Sequence, residues 1–272
     1  MTEEPPSPLL IDHARLLGLL GTDAGRFSVD VLAECASTNS HLLDRATAGA
    51  PSGTVVVADR QTAGRGSRGR SWLASPEASL TFSVLWHFPG GIERLSGLSL
   101  AVGVAVVEAL SACGVADVQL KWPNDILYDD RKLGGILVEV QSDAESSQVV
   151  IGIGLNLRRP PDFAAEGMAL APVALEEFAP QLPERHALLA ALLQALATVF
   201  DTFAEGGFAA LRSRWQTYHA WQERPVNMLR DGKVEVEGAC LGADEDGALL
   251  VRTATGLERC LSGDLTLRPG AC

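Results

Sequence analysis

Apolar and polar positions along the chain follow two periods, and the places where one gives way to the other mark its elements. Residues 9–20, LLIDHARLLGLL, carry apolar side chains at helical spacing and predict a short helix that ends at Gly21. VLAECASTNSHLLDRA predicts a strand running into Ser37, Thr38 and Asn39, good N-cap residues for a helix through Leu42, Leu43 and Ala46. β-Branched and aromatic runs at 54–59 (TVVVAD) and 79–88 (SLTFSVLWHF) predict buried strands. Residues 92–112 are apolar over most of their length, which predicts one helix buried against a sheet. It approaches membrane-spanning length, but Glu93, Arg94 and Glu108 within it argue against that use.

VQLKW, KLGGILVEVQ and QVVIGIGLNL predict successive strands, two of them with glycines that leave room for something to approach the backbone. The stretch 158–172 has no period and predicts a long loop of the lid or binding type. Residues 184–205 carry the strongest helical pattern, and a shorter helix through Leu211 and Trp215 follows. From Pro225 the texture changes to short strands separated by RDGK, ADEDG and TATG turns, as in a small β-barrel. Two domains are expected, 1–222 and 223–272, with the helix 9–20 belonging to the first.

Composition adds little to that picture, and charge adds more. At 47% hydrophobic and 21% charged residues the chain reads as an ordinary soluble globular protein. Its formal net charge of -12 disfavours broad attraction to nucleic acid or an anionic membrane, so neither is an expected partner. The opening MTEEPPSPLL has the features of neither a secretory signal nor an anchor. Cys35, Cys113, Cys240, Cys260 and Cys272 are scattered without a CxxC pair, which suits reduced thiols, and a cytoplasmic location is expected.

Against this acidic background QTAGRGSRGRSW, residues 61–72, holds three glycines and three arginines. Gly64-x-Gly66-x-x-Gly69 matches a dinucleotide fingerprint, and the run to Arg70-Ser71 is one residue from a P-loop. Both motifs must open a helix, whereas here Pro76 and a β-branched run predict a second strand. What remains is an arginine loop between two strands, able to wrap an anion with backbone N–H groups and guanidinium forks. Gln61 and Trp72 flank it in a way that a merely solubilising turn does not require. KWPNDILYDDRKLGGILVE, 121–139, supplies a lysine, Lys121, at the end of an apolar strand, then a turn at Pro123, Asn124 and Asp125. Asp125 could act through a cation or by holding Lys121 in place, and Gly134 and Gly135 could form one wall of a narrow pocket.

Taken in order, ASTNSHLLDRA, ADRQTAGRGSRGRSW, LKWPNDILY, RKLGGILVEV and VIGIGLNL resemble the biotin protein ligases, densely over 29–157. The final strands are similar to that family's SH3-like barrel. The resemblance implies an α+β catalytic domain with a mixed sheet, related to lipoate ligases and class II aminoacyl-tRNA synthetases. It implies that biotin and ATP with Mg²⁺ give biotinyl-5'-AMP and pyrophosphate, after which a lysine of a biotin carboxyl carrier domain takes the biotin. Catalytic roles are then expected for Lys121, Arg65 and Arg70. Biotin contacts are expected from Ser37, Thr38, Asn39, Gln61, Arg65, Gly66, Ser67, Trp72, Lys121, Gly134, Gly135 and Ile136. Nucleotide contacts are expected from Arg65, Arg68, Arg70, Asn124, Asp125, Gly154 and Asn156, with no protein metal ligand.

Two departures from the family pattern stand out. Ser67 occupies a position where an arginine is usual, which implies weaker retention of the adenylate unless Arg68 or another residue reaches in. Met168 lies about where some members carry an adenine-stacking tryptophan, and the adenine partner stays unassigned. Only 36 residues precede Ser37, too few for the DNA-binding module of the repressor members, so an enzyme without that role is expected. The resemblance leaves a homodimer open. The rivals are a lipoate or octanoyl ligase and a non-catalytic biotin sensor or DNA-binding regulator.

Overall fold

The computed structural model describes residues 9–142, 145–160, 170–263 and 265–270. Its larger sheet contains β1 (Ser28–Cys35), β2 (Thr54–Gln61), β3 (Ser79–Pro89), β4 (Gln119–Lys121), β5 (Asp125–Tyr128), β6 (Arg131–Ser142) and β7 (Ser146–Asn156). The strand order is β1-β2-β3-β7-β6-β5-β4, with β1 and β2 parallel and every other neighbouring pair antiparallel, a mixed sheet. The glycine–arginine stretch connects β2 to its antiparallel neighbour β3, the strand–loop–strand context that excludes a dinucleotide or P-loop turn. β5 is an element that the sequence pattern does not separate: it is the return arm of the Pro123–Asn124 turn, four residues that share one apolar run.

Helix α1 (His13–Leu20) is shorter than the apolar pattern, because Asp12 caps it by accepting the Arg15 N–H at 2.7 Å. Helix α2 (Thr38–Thr47) has Ser37 as its cap. The expected single helix 92–112 is broken. A 3-10 turn covers Ile92–Leu95, Gly97 takes φ +77°, and only α3 (Leu98–Ala112) is α-helical. Positive φ is open to glycine at little steric cost, so the chain turns there before α3 enters the core. Residues 100–107 are buried on every side, which explains why α3 shows no polar face. It packs on the long helix α4 (Arg185–Gly206) and on α5 (Arg212–Tyr218). The segments Ile92–Ala112 and Arg185–Gly206 are apolar and long enough to cross a bilayer, yet both are mostly buried within the protein.

The second sheet, β8 (Pro225–Arg230), β9 (Lys233–Ala243), β10 (Leu249–Arg252), β11 (Leu257–Cys260) and β12 (Thr266–Pro269), is wholly antiparallel in the order β11-β10-β9-β8-β12. It is sealed to the first. Trp122 is fully buried and donates its indole N–H to Gly247 O at 3.0 Å, while a Cβ on Gly247 would lie 2.7 Å from Gly97 Cα. Trp221, just ahead of β8, donates to Asp130 at 2.8 Å beside the same seam. Such buried side chains contribute about 1.5–3 kcal/mol each, so the modules share one core.

Candidate active site

A cavity of about 390 Å³ opens where the N-terminus of α2, the 62–78 connection, and strands β3, β6 and β7 meet. One end is neutral and tightly hydrogen-bonded. Gln61 Oε1 accepts from Thr38 N–H at 2.7 Å and from Thr38 Oγ1 at 3.2 Å, joining β2 to the start of α2. Ser83 Oγ on β3 lies 2.7 Å from Thr38 Oγ1 and 2.6 Å from Asn39 Oδ1. Asn39 fits only because β7 has no side chain beneath it: a Cβ on Gly152 would lie 2.1 Å from Asn39 Oδ1. The wall is Trp72, lying on the Gly154 backbone with its indole nitrogen buried and without a hydrogen-bond partner.

The three arginines of the loop separate completely. Arg65 turns back to β6 and grips Glu139 with both terminal nitrogens, at 2.6 and 3.2 Å. Arg68, in the left-handed region at φ +59°, reaches the C-terminal sheet and donates to Thr266 Oγ1 and to the carbonyls of Leu265 and Gly263. Arg70 stays at the cavity beside Arg268, its Nη2 donating to Ser67 Oγ at 2.9 Å. Arg65 and Arg68, both expected to serve a phosphate, thus have their guanidinium groups engaged by Glu139 and by Leu265 and Thr266.

Lys121, expected to be catalytic, lies one contact behind the cavity wall. Its side chain is 3% exposed, its Nζ donates to Asp125 Oδ2 at 3.0 Å, and it lies 5.3 Å from the centre of the Trp221 ring, outside the cavity lining. The lysine that lines the cavity is Lys132, which donates to the other oxygen of Asp125. Burial alone would raise the Asp125 pKa, but Lys121 and then Lys132 outweigh it and hold the carboxyl well below the usual range. Burial pushes the Lys121 ammonium down, opposed by Asp125. A second cation comes from the C-terminal sheet. Arg268 of β12 lines the cavity, and its pKa is lowered by burial and then by neighbouring Arg70. Arg70, Lys132 and Arg268 thus leave a cationic end that an anion would relieve.

The cavity is lined by Ser37, Thr38, Asn39, Gln61, Arg65, Gly66, Ser67, Arg70, Trp72, Asn124, Asp125, Gly135, Ile136, Gly154 and Asn156, all expected from sequence. Lys121, Arg68 and Gly134 do not line it. Gly134 faces the core, where a Cβ would meet Leu155 and Ile126 at 2.7 and 3.3 Å. Asn124 and Asn156 spend their amides on backbone, Asn124 on Ile136 O at 2.9 Å and Asn156 on Val173 O at 3.0 Å. Of the expected loop 158–172, residues 161–169, Met168 among them, lie outside the described residues, while Leu170 and Pro172 line the cavity. Among the described residues no group of three His, Cys, Asp or Glu side chains could hold a metal ion. The described cysteines are free thiols.

Residues 32–156 match the Biotin/lipoate A/B protein ligase family, and 223–268 match the Biotin protein ligase C terminal domain. The chain is 36% identical over 268 residues to the bifunctional ligase/repressor BirA of Escherichia coli, covering 97% of this chain and 80% of that protein. It is 34% identical to the biotin--[acetyl-CoA-carboxylase] ligase of Paracoccus denitrificans, over 83% of this chain and 95% of that one. The biotin protein ligase of Aquifex aeolicus in complex with biotin and ATP superposes with a TM-score of 0.76 at 30% identity, over 89% of this chain and 99% of that one. With both domains matched in order around the cavity, the chain belongs to the biotin protein ligase family.

Proposed function

We propose that the protein activates biotin with ATP and transfers it to the lysine of a biotin carboxyl carrier domain. The observation that carries this reading is the division of one cavity into a neutral, hydrogen-bonded end and a cationic end. A ureido head group needs polar partners without net charge, and Thr38, Asn39 and Gln61 offer them beside the apolar wall of Trp72. The carboxylate then points towards Arg70, Lys132 and Arg268.

In the first step a carboxylate oxygen bonds to the α-phosphorus of ATP and the bond to the bridging oxygen breaks, releasing pyrophosphate. Two anions must approach, and the three cations reduce that repulsion and stabilise charge on the transferring phosphorus. In the second step a neutral lysine amine attacks the acyl carbon, the acyl–oxygen bond breaks, AMP leaves and the amine sheds a proton. Mg²⁺ would arrive on the nucleotide phosphates, since Asp125 is committed to two lysines. The acidic balance supports an enzyme with no DNA-binding role, and free thiols and ATP use support a cytoplasmic one.

Purified protein with MgATP should release pyrophosphate in response to biotin but not lipoate or octanoate, and should then add biotin to a carrier domain. Lipoate-dependent release, or none with biotin, overturns the reading.

A further inference from the structure

We propose that Glu139 is a positioning residue that latches the glycine–arginine loop over the neutral end of the cavity and cancels the charge of Arg65 there. The proposal rests on the biotin reading above for its kinetic part, and on geometry alone for its conformational part.

Glu139 sits on β6, 74 positions from Arg65 in sequence, yet both its oxygens are taken up by two groups that frame the slot. Oε1 accepts from Arg65 Nη2 at 2.6 Å, and Oε2 accepts from Arg65 Nη1 at 3.2 Å and from Asn39 Nδ2 at 2.9 Å. Arg65 Nη1 also reaches Ser40 Oγ at 3.3 Å, so the fork spans from the sheet to α2. One carboxylate therefore fixes the amide of Asn39 and the first arginine of the loop together. Bidentate pairs of this kind impose orientation as well as attraction.

Pinning Arg65 pins more than one side chain. The loop is a narrow hairpin in which Gly66 N–H donates to Arg70 O at 2.7 Å and Trp72 N–H donates to Gly64 O at 2.8 Å. Arg65 bridges Ser71 between them. Holding Arg65 thus sets where Trp72 closes the wall. The second consequence is electrostatic. With Glu139 present the head-group end carries a matched pair, and without it an unpaired guanidinium would favour a carboxylate at the end where a neutral ring belongs. The latch separates a neutral from a cationic pole within a single cavity.

The test uses the full chain and two variants, E139Q and R65A, approaching the pair from opposite sides, with melting curves to confirm folding. Hydrogen exchange of the unliganded proteins should show amides of 62–72 exchanging about tenfold faster in both variants. In biotin-dependent pyrophosphate release, both should raise the KM for biotin by about tenfold or more, and E139Q should leave the KM for ATP and kcat nearly unchanged. The double variant R65A/E139Q should be no worse than R65A, because both changes remove one contact. Unchanged loop exchange, additive losses, or losses confined to kcat and the KM for ATP overturn the latch, the last by returning Arg65 to the phosphate. If the wild type releases no pyrophosphate with biotin, the functional reading fails, and the exchange comparison still decides the conformational claim.

Discussion

Lys121 and Lys132 hold opposite oxygens of the same carboxylate, Asp125, but only Lys132 opens onto the cavity. Lys121 is buried against Trp221, and its charge keeps Asp125 ionised and in place. The excess positive charge of the triad therefore emerges through Lys132.

Substituting the two lysines should accordingly separate chemistry from folding. K132Q should cost about 10²–10³ in kcat for adenylation, the scale for removing one preorganised electrostatic group, with little change in melting temperature. K121M should instead lower folding stability by about 3 kcal/mol by depriving a buried carboxylate of one partner, while folded molecules still adenylate biotin. Parallel pyrophosphate and urea-unfolding measurements decide between them, and the reverse pattern would restore Lys121 as the catalytic lysine.

The glycine of β7 that supports Trp72 gives a steric prediction. A methyl group on Gly154 would lie 2.4 Å from Trp72 Cε2, and the indole cannot yield without leaving the slot wall. Overpacking of this kind costs about 1–3 kcal/mol, so G154A should weaken biotin binding by roughly tenfold to a hundredfold. Trp72 fluorescence should move towards that of an exposed indole. A G154A protein with native fluorescence and affinity would show that the ring does not depend on this floor.

The walls of the site are legible in the sequence because they are made of local pattern. A β-branched run, a glycine loop and another β-branched run can only be strand, loop and strand, and Ser37 announces the helix it caps. The destinations of the charges are not local. Arg68 ends on Thr266, 198 positions away, and Arg65 on Glu139, 74 away, pairings that leave no trace in spacing. Lys121 closes an apolar strand and so reads as a cation aimed at a ligand. In the fold β4 is the last strand of the sheet, and its outer neighbour is the seam with Trp221. Arg268 enters from a separate sheet, and the pattern of that sheet says nothing about which of its residues face the cavity.

Ser67 predicts how firmly the intermediate is held. Its hydroxyl is occupied by Arg70 at 2.9 Å and Asn124 at 3.3 Å, so it organises the loop but carries no charge towards the adenylate. S67R adds a guanidinium at the cavity lining, where a charge-assisted hydrogen bond contributes about 1.5–3 kcal/mol. Dissociation of biotinyl-5'-AMP should slow by about tenfold or more, read by release of labelled adenylate. Equal dissociation rates in wild type and S67R would mean that another residue already supplies the contact.

His219 ties stability to pH at the seam between the two sheets. It stacks on Trp215 at 4.6 Å, its Nε2 lies 3.9 Å from Cys240 Sγ of β9, and burial lowers its pKa from 6.5 to about 4, against a smaller opposing effect of Gln222. Between those values the unfolded chain binds a proton that the folded chain refuses, so stability is fully present above about pH 6.5 and is lost as pH falls towards 4. The loss attributable to this group is on the order of 3 kcal/mol. H219F keeps the ring stack and removes the titration. Urea midpoints of wild type should therefore fall more steeply than those of H219F across this window, with the two converging in slope above it. Identical slopes throughout would show that His219 is accessible to protons in the folded protein.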